Sequence, residues 1–402
     1  MAPDSIKSIV CISFFGRSGS YLLSNLLDNH PEVLSVPPHA LTDFFLDMEA
    51  KLNDAARGHG EMDIFKYLES NVGWLFQEAD HTELLGPVAK EMAPLGAPAM
   101  LFGDHMRTAL NSLSARDALS IGGIFKAIHV AYAAAIGRKL ATSTPIIVWQ
   151  KHVPMSPEQL AFFSRFIETP LLVVTVRRPE VTFSAHFEHH VYDRPGPPFH
   201  SLPVRIFRTM IDALRYAEVA PDRTFAVRFE DMHGRTEAVM RALATGPLAI
   251  DWHPSLLETT IDGRPFLFPK KGGFVTGTNP DVEKHQSAPW LSALDAVKLR
   301  HVLAADIAAW GYEGNGRFLE SLLRFRPLRR LLFALPLRIE LHGLLVDLKG
   351  LFGNGDDRPF RVKLKEAFAL AKSAYVCHQM MVDLFRERID GGPPAIRALR
   401  VE

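Results

Sequence analysis

The chain has 402 residues, 47% of them hydrophobic and 22% charged, which is enough apolar material for one large domain with an extension, or for two domains. Lys plus Arg and Asp plus Glu both number 45, so no global field draws in nucleic acid and any anion site must be local. The two cysteines, Cys11 and Cys377, stand at opposite ends of the chain; that excludes a disulfide-stapled scaffold and fits a reducing compartment.

Residues 1–7 carry no apolar stretch followed by a small-residue cleavage site, and the apolar run 9–15 is too short to span a bilayer, so the sequence reads as cytoplasmic. Residues 8–15 (Ser-Ile-Val-Cys-Ile-Ser-Phe-Phe) predict a buried strand. Gly16-Arg-Ser-Gly-Ser20 follows, and then a segment in which Leu22, Leu23, Leu26 and Leu27 share one helical face. The opening is therefore strand, tight glycine loop, helix. Residues 41–140 predict mostly helix, broken at Gly86-Pro87 and between Pro94 and Pro98. A second strand is expected at 145–149 and a helix at 157–167. The third strand, 171–176, is a continuous β-branched run suited to burial on both faces. Pro179 suits the first turn of the helix after it. A fourth strand is expected at 224–228, a helix from there to about Leu243, a loop rich in glycine and lysine at 269–279, and a helix at 291–310. Strands alternating with helices predict an α/β fold, a parallel β-sheet flanked by helices.

After about Arg317 the character changes. Arg324, Arg326, Arg329 and Arg330 precede a stretch in which Leu337, Leu341, Leu344, Leu345 and Leu348 recur at helical spacing. Arg338, Glu340 and Asp347 interrupt it, so it is no membrane span. The stretch 324–352 has two readings: a helix packed on the preceding domain, or a peripheral contact with an anionic membrane. Residues 353–359 read as a linker, and an amphipathic helix runs over about 362–389, stopping at Gly391-Gly-Pro-Pro394.

Two places have the chemistry of an anion site. A strand turning through a glycine loop into a helix aims backbone N–H groups and the positive end of the helix dipole outward. Gly16 and Gly19 allow close approach, Ser18 and Ser20 add hydroxyls, and Arg17 adds a charged planar fork of donors. The loop lacks the Gly-Lys-Ser/Thr ending of a nucleoside triphosphatase and any G-x-G-x-x-G; a plain strand-to-helix turn capped by serine is the alternative. Val176-Arg177-Arg178-Pro179 follows the third strand, with Ser184 seven residues after Arg177. Arginines at a buried strand end need an anionic partner; a phosphate fits, as does a surface salt bridge. Both places lie at carboxyl ends of strands expected in one parallel sheet, where ligands of open α/β sheets bind.

In these residues the chain resembles the sulfotransferases that use 3′-phosphoadenosine 5′-phosphosulfate (PAPS). The segment from Phe15 through Gly16-Arg-Ser-Gly-Ser-Tyr21 to Leu23 is similar to their 5′-phosphosulfate loop, and the segment from Val176 to Ser184 to their 3′-phosphate motif. Lys151-His-Val-Pro154 resembles their Lys-x-His-Leu-Pro stretch, and Phe229-Glu-Asp-Met232 their Tyr-Glu-Asp-Met/Leu stretch; all four occur in family order. The resemblance covers roughly residues 6–315 and implies a P-loop-like sulfotransferase fold; residues 1–316 are expected as the catalytic domain, with 40–140, which matches no family stretch, as an acceptor-side insertion, and 317–402, also unmatched, as a helical extension. It implies that Arg17, Ser18, Gly19, Ser20 and Tyr21 hold the 5′ end of the donor. Arg177 and Ser184 would hold its 3′-phosphate, with Lys270, Lys271 and Gly272 as the nearest counterpart of a late phosphate-contacting loop that also reads as an exposed turn. It implies His152 as the base that deprotonates an acceptor hydroxyl on a carbohydrate, lipid or small molecule. His39 is the second choice, Asp43 a weaker one in the same segment, and no metal is required. Arg17 and Gln150 stand where many members have lysine. The stretch His186-Phe-Glu188-His189-His190 fails the zinc-protease spacing, so its histidines are expected to line the acceptor pocket or face solvent. The competing readings are a kinase using a nucleoside triphosphate, and a nucleotide-binding, membrane-associated protein without catalysis.

Overall fold

The computed structural model describes the chain except residues 39–40, 42–43, 57–65, 67–69, 71–74, 77–95, 114–119, 152–153, 168–169, 194–197, 267, 271–272, 276, 280–281, 283–286, 313–324, 354–357, 392–394 and 402. At 52, 54–56, 192–193, 268–270 and 273–275 the backbone alone is described.

The long apolar runs lie where water is excluded on both sides. Strand β1 (Ser8–Phe14) has five consecutive buried positions, and every residue of β3 (Ile146–Gln150) and β4 (Leu171–Val176) is buried. With β2 (Val33–Ser35), β5 (Thr224–Arg228) and β10 (Arg397–Ala398) they form a sheet ordered β10-β5-β4-β1-β3-β2, parallel throughout. Cys11 is in register with Trp149 on one side and Leu172 on the other. Two short antiparallel hairpins stand apart: β6 (Thr260–Ile261) with β7 (Arg264–Pro265), and β8 (Phe268–Lys270) with β9 (Gly273–Val275).

The helices before the fourth strand are α1 (Ser20–Leu27), α2 (Phe44–Ala56), α3 (Ala99–Asn111), α4 (Ile121–Ala135) and α5 (Pro157–Phe163). After β4 come α6 (Pro179–Glu188), α7 (Leu202–Leu214) and α8 (Tyr216–Val219). After β5 come α9 (Phe229–Gly234), α10 (Thr236–Leu243), α11 (Ala293–Val302) and α12 (Ala304–Ala309). The C-terminal helices are α13 (Arg326–Phe333), α14 (Arg338–Phe352) and α15 (Phe360–Gly391). Ser156 caps α5 and Ser292 caps α11, each in a reciprocal capping box that satisfies two amides at the helix start.

Because side chains alternate along a strand, β1 divides the core into two layers. Ile9 and Cys11 face a layer built with Phe125 of α4, Phe183 of α6 and Phe207 of α7. Val10 and Ile12 face the other layer, with Leu22, Leu23 and Leu26 of α1 and Val239, Met240 and Leu243 of α10. The helices that follow β1 and β4 therefore leave on opposite faces of the sheet. A crevice opens between two neighbouring parallel strands at such a point, outside their carboxyl ends.

The C-terminal helices are tied to this body. Phe385 of α15 meets Phe207 of α7 at 4.9 Å between ring centroids, and the buried Arg388 meets the buried Asp306 at 2.5 Å. Asp347 of α14 accepts hydrogen bonds from the N–H groups of Phe199 and His200, each 2.9 Å. Beyond α15 the chain returns to the sheet edge, where the Leu399 N–H donates to the Ala226 carbonyl at 2.9 Å. Two helices expected as continuous are broken, one between Gly234 and Thr236 and one at Leu303. The α5 helix stops at Phe163, four residues earlier than its sequence pattern predicts.

Candidate active site

The loop after β1 is braced from below. The Phe15 N–H donates to the Thr175 carbonyl (2.9 Å) and to Ser18 Oγ (3.2 Å). The buried Ser18 hydroxyl lies 2.6 Å from the Thr175 carbonyl and 3.0 Å from Thr175 Oγ1, and the Ser18 N–H donates to the Gly16 carbonyl at 3.0 Å. Ser18 is thus a strut between the loop and β4. The first helical hydrogen bond of α1 runs from the Leu23 N–H to the Gly19 carbonyl, so the amides of Ser20, Tyr21 and Leu22 precede it and head the helix. Arg17 is exposed at the loop's tip.

Both loop glycines are required by conformation and by contact. Gly16 has φ +68° and Gly19 φ +89°, the left-handed region. A Cβ on Gly16 would overlap the Thr182 methyl of α6, and a Cβ on Gly19 would come 2.5 Å from Phe229 Cδ2. The same ring meets the second arginine motif: the Arg177 guanidinium carbon sits 4.7 Å from the Phe229 ring centroid. The loop after β1 and the end of β4 are therefore joined through Phe229, the first residue of α9.

Arg177 is buried, and burial pulls its pKa below the usual guanidinium value, opposed by the nearby negative charge of Glu230 and then by Tyr312. Glu230 is itself buried and accepts a 2.5 Å hydrogen bond from the Tyr312 hydroxyl. Burial, and then the adjacent Glu230, push the Tyr312 phenol upward. His233 completes this corner. Its ring centroid is 4.6 Å from that of Phe229, and its Nδ1 accepts the Asn279 N–H at 2.9 Å. Burial first and the Arg177 charge second hold His233 down at about 4, so its ring is neutral near pH 7.

Other elements close the site. Gln150, the last residue of β3, donates from Nε2 to Ser20 Oγ at 3.1 Å. Gln150 Oε1 and Thr182 Oγ1 are buried and take no hydrogen bond among the described residues. Two buried polar atoms left this way, one beside the head of α1 and one on the residue packed against Gly16, fit a polar ligand in the crevice. His186 lies against the same loop, its Nδ1 3.5 Å from where a Gly16 Cβ would stand, and it stacks on His190 with centroids 5.0 Å apart. Ser184 is buried on α6, and its Oγ accepts the Trp290 N–H at 3.4 Å. The ring of Tyr21 meets Phe266 at 5.7 Å. Lys270 ends β8, paired in register with Gly273. His39, Asp43, His152, Lys271 and Gly272 lie outside the described residues.

The structure thus brings Gly16, Ser18, Gly19 and Ser20 together with Arg177, while Ser184 points its Oγ at the segment before α11. Gln150, Thr182, Phe229 and His233 are the members of this cluster that residue-type reasoning did not assign. The signals for Phe229 are its place directly after a predicted strand and its position at the head of the Phe229-Glu-Asp-Met232 stretch, neither of which gives its part in the site. Among the described residues no group of three His, Cys, Asp or Glu side chains is placed to hold a metal ion.

The model of the sulfotransferase family matches residues 10–253, which contain both glycines, Arg177, Phe229 and His233. The chain belongs to the sulfotransferase family. Among solved structures, this sulfotransferase is similar to the sulfotransferase domain from the curacin biosynthetic pathway, at 15% identity and TM-score 0.41, over 77% of this chain and 100% of that one. It is also similar to the sulfotransferase domain from the Synechococcus PCC 7002 olefin synthase, at 17% identity and TM-score 0.37, over 75% and 96%. A third is the sulfotransferase STF9 from Mycobacterium avium, at 12% identity and TM-score 0.32, over 62% and 66%. No curated protein matches the chain.

Proposed function

We propose that this sulfotransferase moves a sulfuryl group from PAPS to a hydroxyl of a carbohydrate, lipid or small-molecule acceptor. The observation that carries the reading is the shared contact at Phe229: Gly19 of the first loop and Arg177 of the second motif pack on one ring, so two anion-binding elements serve one crevice. A donor with separated 5′ and 3′ phosphates is the ligand such a pair fits.

In this reading the amides at the head of α1, with Arg17, hold the bridging 5′-phosphate and stabilise the charge that develops on it as the group leaves. Arg177 and Ser184 hold the 3′-phosphate, with the segment around Lys270, Lys271 and Gly272 closing over it. A base takes the proton of the acceptor hydroxyl. Its oxygen attacks sulfur in line, the bond from sulfur to the phosphate oxygen breaks, and adenosine 3′,5′-bisphosphate departs. His152 follows the end of β3 in sequence and is the base; His39 is the alternative. Gln150 contributes a neutral amide where a lysine would contribute charge, so Arg17 is the cation that balances the leaving group. The two cysteines are free, as a reducing cytoplasmic setting requires. Residues 1–316 form the catalytic part and 317–402 the extension.

Thermal unfolding with adenosine 3′,5′-bisphosphate, ATP or NAD tests the donor, because only a ligand bound by the native state raises the melting temperature. We expect a shift with the bisphosphate alone. Arg177→Ala removes a charge-assisted contact worth about 1.5–3 kcal/mol and should weaken binding roughly 10- to 150-fold. An equal shift in wild type and Arg177→Ala would overturn the reading. His152→Ala should keep the shift and lose turnover; retained turnover transfers the role of base to His39.

A further inference from the structure

Most of the exposed large apolar side chains among the described residues fall between Phe325 and Val376, although the sheet and the site lie elsewhere. On α15, Phe360 (69% exposed), Leu364, Phe368 (69%) and Tyr375 (63%) recur at i, i+4, i+8 and i+15, one face of a helix. On α14, Leu341, Leu345 and Phe352 recur at i, i+4 and i+11, again one face, and all three are exposed. The two faces are continuous, because Phe352 and Phe360 meet across the linker at 6.5 Å between ring centroids.

Among the described residues, the exposed charges that flank these stripes are basic. Arg361, Lys365 and Lys372 flank the stripe on α15, and Arg338 and Lys349 flank the stripe on α14; all five are exposed. Among the described residues, the acidic groups of α14 and of α15 up to Val376 are buried or paired. Glu340 is buried and binds His378 and the Leu337 N–H. Asp347 binds the Phe199 and His200 amides. Glu366 pairs with Arg358. A chain whose formal charge is zero therefore gathers cations around its largest apolar exposure.

We propose that the joined outer faces of α14 and α15 dock on an anionic lipid membrane, with the Phe, Leu and Tyr side chains entering the headgroup boundary and the flanking Lys and Arg reaching the lipid phosphates. A second copy of the chain is the poorer occupant, because a two-fold contact sets the same patch against itself and opposes its basic flanks. No described helix is long and apolar enough to cross a membrane, so the contact lies on the surface. The surface extends well beyond the basic, leucine-rich stretch that the sequence marks, since its most exposed aromatic residues are on α15. It stands independently of the donor reading, because vesicle binding needs neither donor nor acceptor.

The test is co-sedimentation of the full chain with phosphatidylcholine vesicles and with vesicles containing about one-third phosphatidylglycerol. We expect binding to the anionic vesicles only, weakened when salt is raised to about 0.5 M. The Phe360→Ser/Phe368→Ser variant and the Arg361→Glu/Lys365→Glu/Lys372→Glu variant should each bind at least roughly tenfold more weakly. Both change exposed positions and should melt as the wild type does. Absence of binding to anionic vesicles, or equal binding to both vesicle types, would overturn the proposal. So would a wild-type dimer that Phe360→Ser/Phe368→Ser dissociates, which would assign the face to a second copy.

Discussion

The carboxyl end of the sheet and the outer face of the C-terminal helices treat their side chains in opposite ways. At the sheet end, polar and charged groups such as Ser18, Gln150, Arg177 and Glu230 are buried, each fixed by neighbours from other elements. Along α14 and α15, phenylalanine and leucine side chains stand exposed. Burying a polar group is costly unless something satisfies it, and exposing an apolar stripe is costly unless something covers it. Each region departs from ordinary packing in the direction of the ligand proposed for it: an anion for the one, a membrane for the other. Their tolerance to change should differ accordingly.

The largest effect belongs at the loop. Gly19→Val adds branched carbon at φ +89° and against Phe229, and we expect a loss of about 4–5 kcal/mol in urea unfolding together with loss of bisphosphate binding. Wild-type stability and binding in this variant would break the contrast. Next comes the anchor of the C-terminal helices. Arg388→Met leaves the buried Asp306 carboxylate without its cation and should cost about 3–4 kcal/mol. Asp306→Leu combined with Arg388→Met should recover most of that loss, since the pair can be replaced as a unit. An equal loss in both variants would show that the pair is not what secures α15.

The smallest effect is a titration. Burial and the Arg177 charge hold His233 at about 4, below its ordinary 6.5. The folded state therefore binds this proton less readily than the unfolded chain. The associated stability is complete above pH 6.5 and is lost as pH falls toward 4, amounting to about 1–2 kcal/mol for a group that is not fully enclosed. His233→Gln should flatten the acid limb of the stability profile by that amount. In Arg177→Ala, the imidazole resonance of His233 should titrate closer to its ordinary value. An unchanged titration would separate His233 from Arg177 and loosen the corner built around Phe229.

Much of the sheet could be read in advance because its strands are long, apolar and bounded. The expected 171–176 and 224–228 coincide with β4 and β5; β1 ends one residue earlier than expected, and β3 is shifted by one residue, 146–150 against 145–149. Val33–Ser35 and Arg397–Ala398 escaped because three and two residues are too few to display a period. The loop and Arg177 stood out because glycines and an arginine at strand ends are unusual. By its type Ser18 reads as a hydroxyl donor to a ligand, whereas its hydroxyl contacts Thr175 of β4; a serine's type does not say which way its hydroxyl turns. The part of Phe229 was illegible for a related reason. An aromatic residue after a strand looks like core, and only the folded chain brings a loop glycine and an arginine to the same ring.

The edge strand β10 has a consequence in time. During synthesis β5 emerges first, and its outer rim stays bare until Arg397 and Ala398 leave the ribosome. At the ordinary pace of translation that interval is on the order of ten to thirty seconds. Over that interval the nascent chain carries a template for unwanted pairing, which the later arrival of β10 removes.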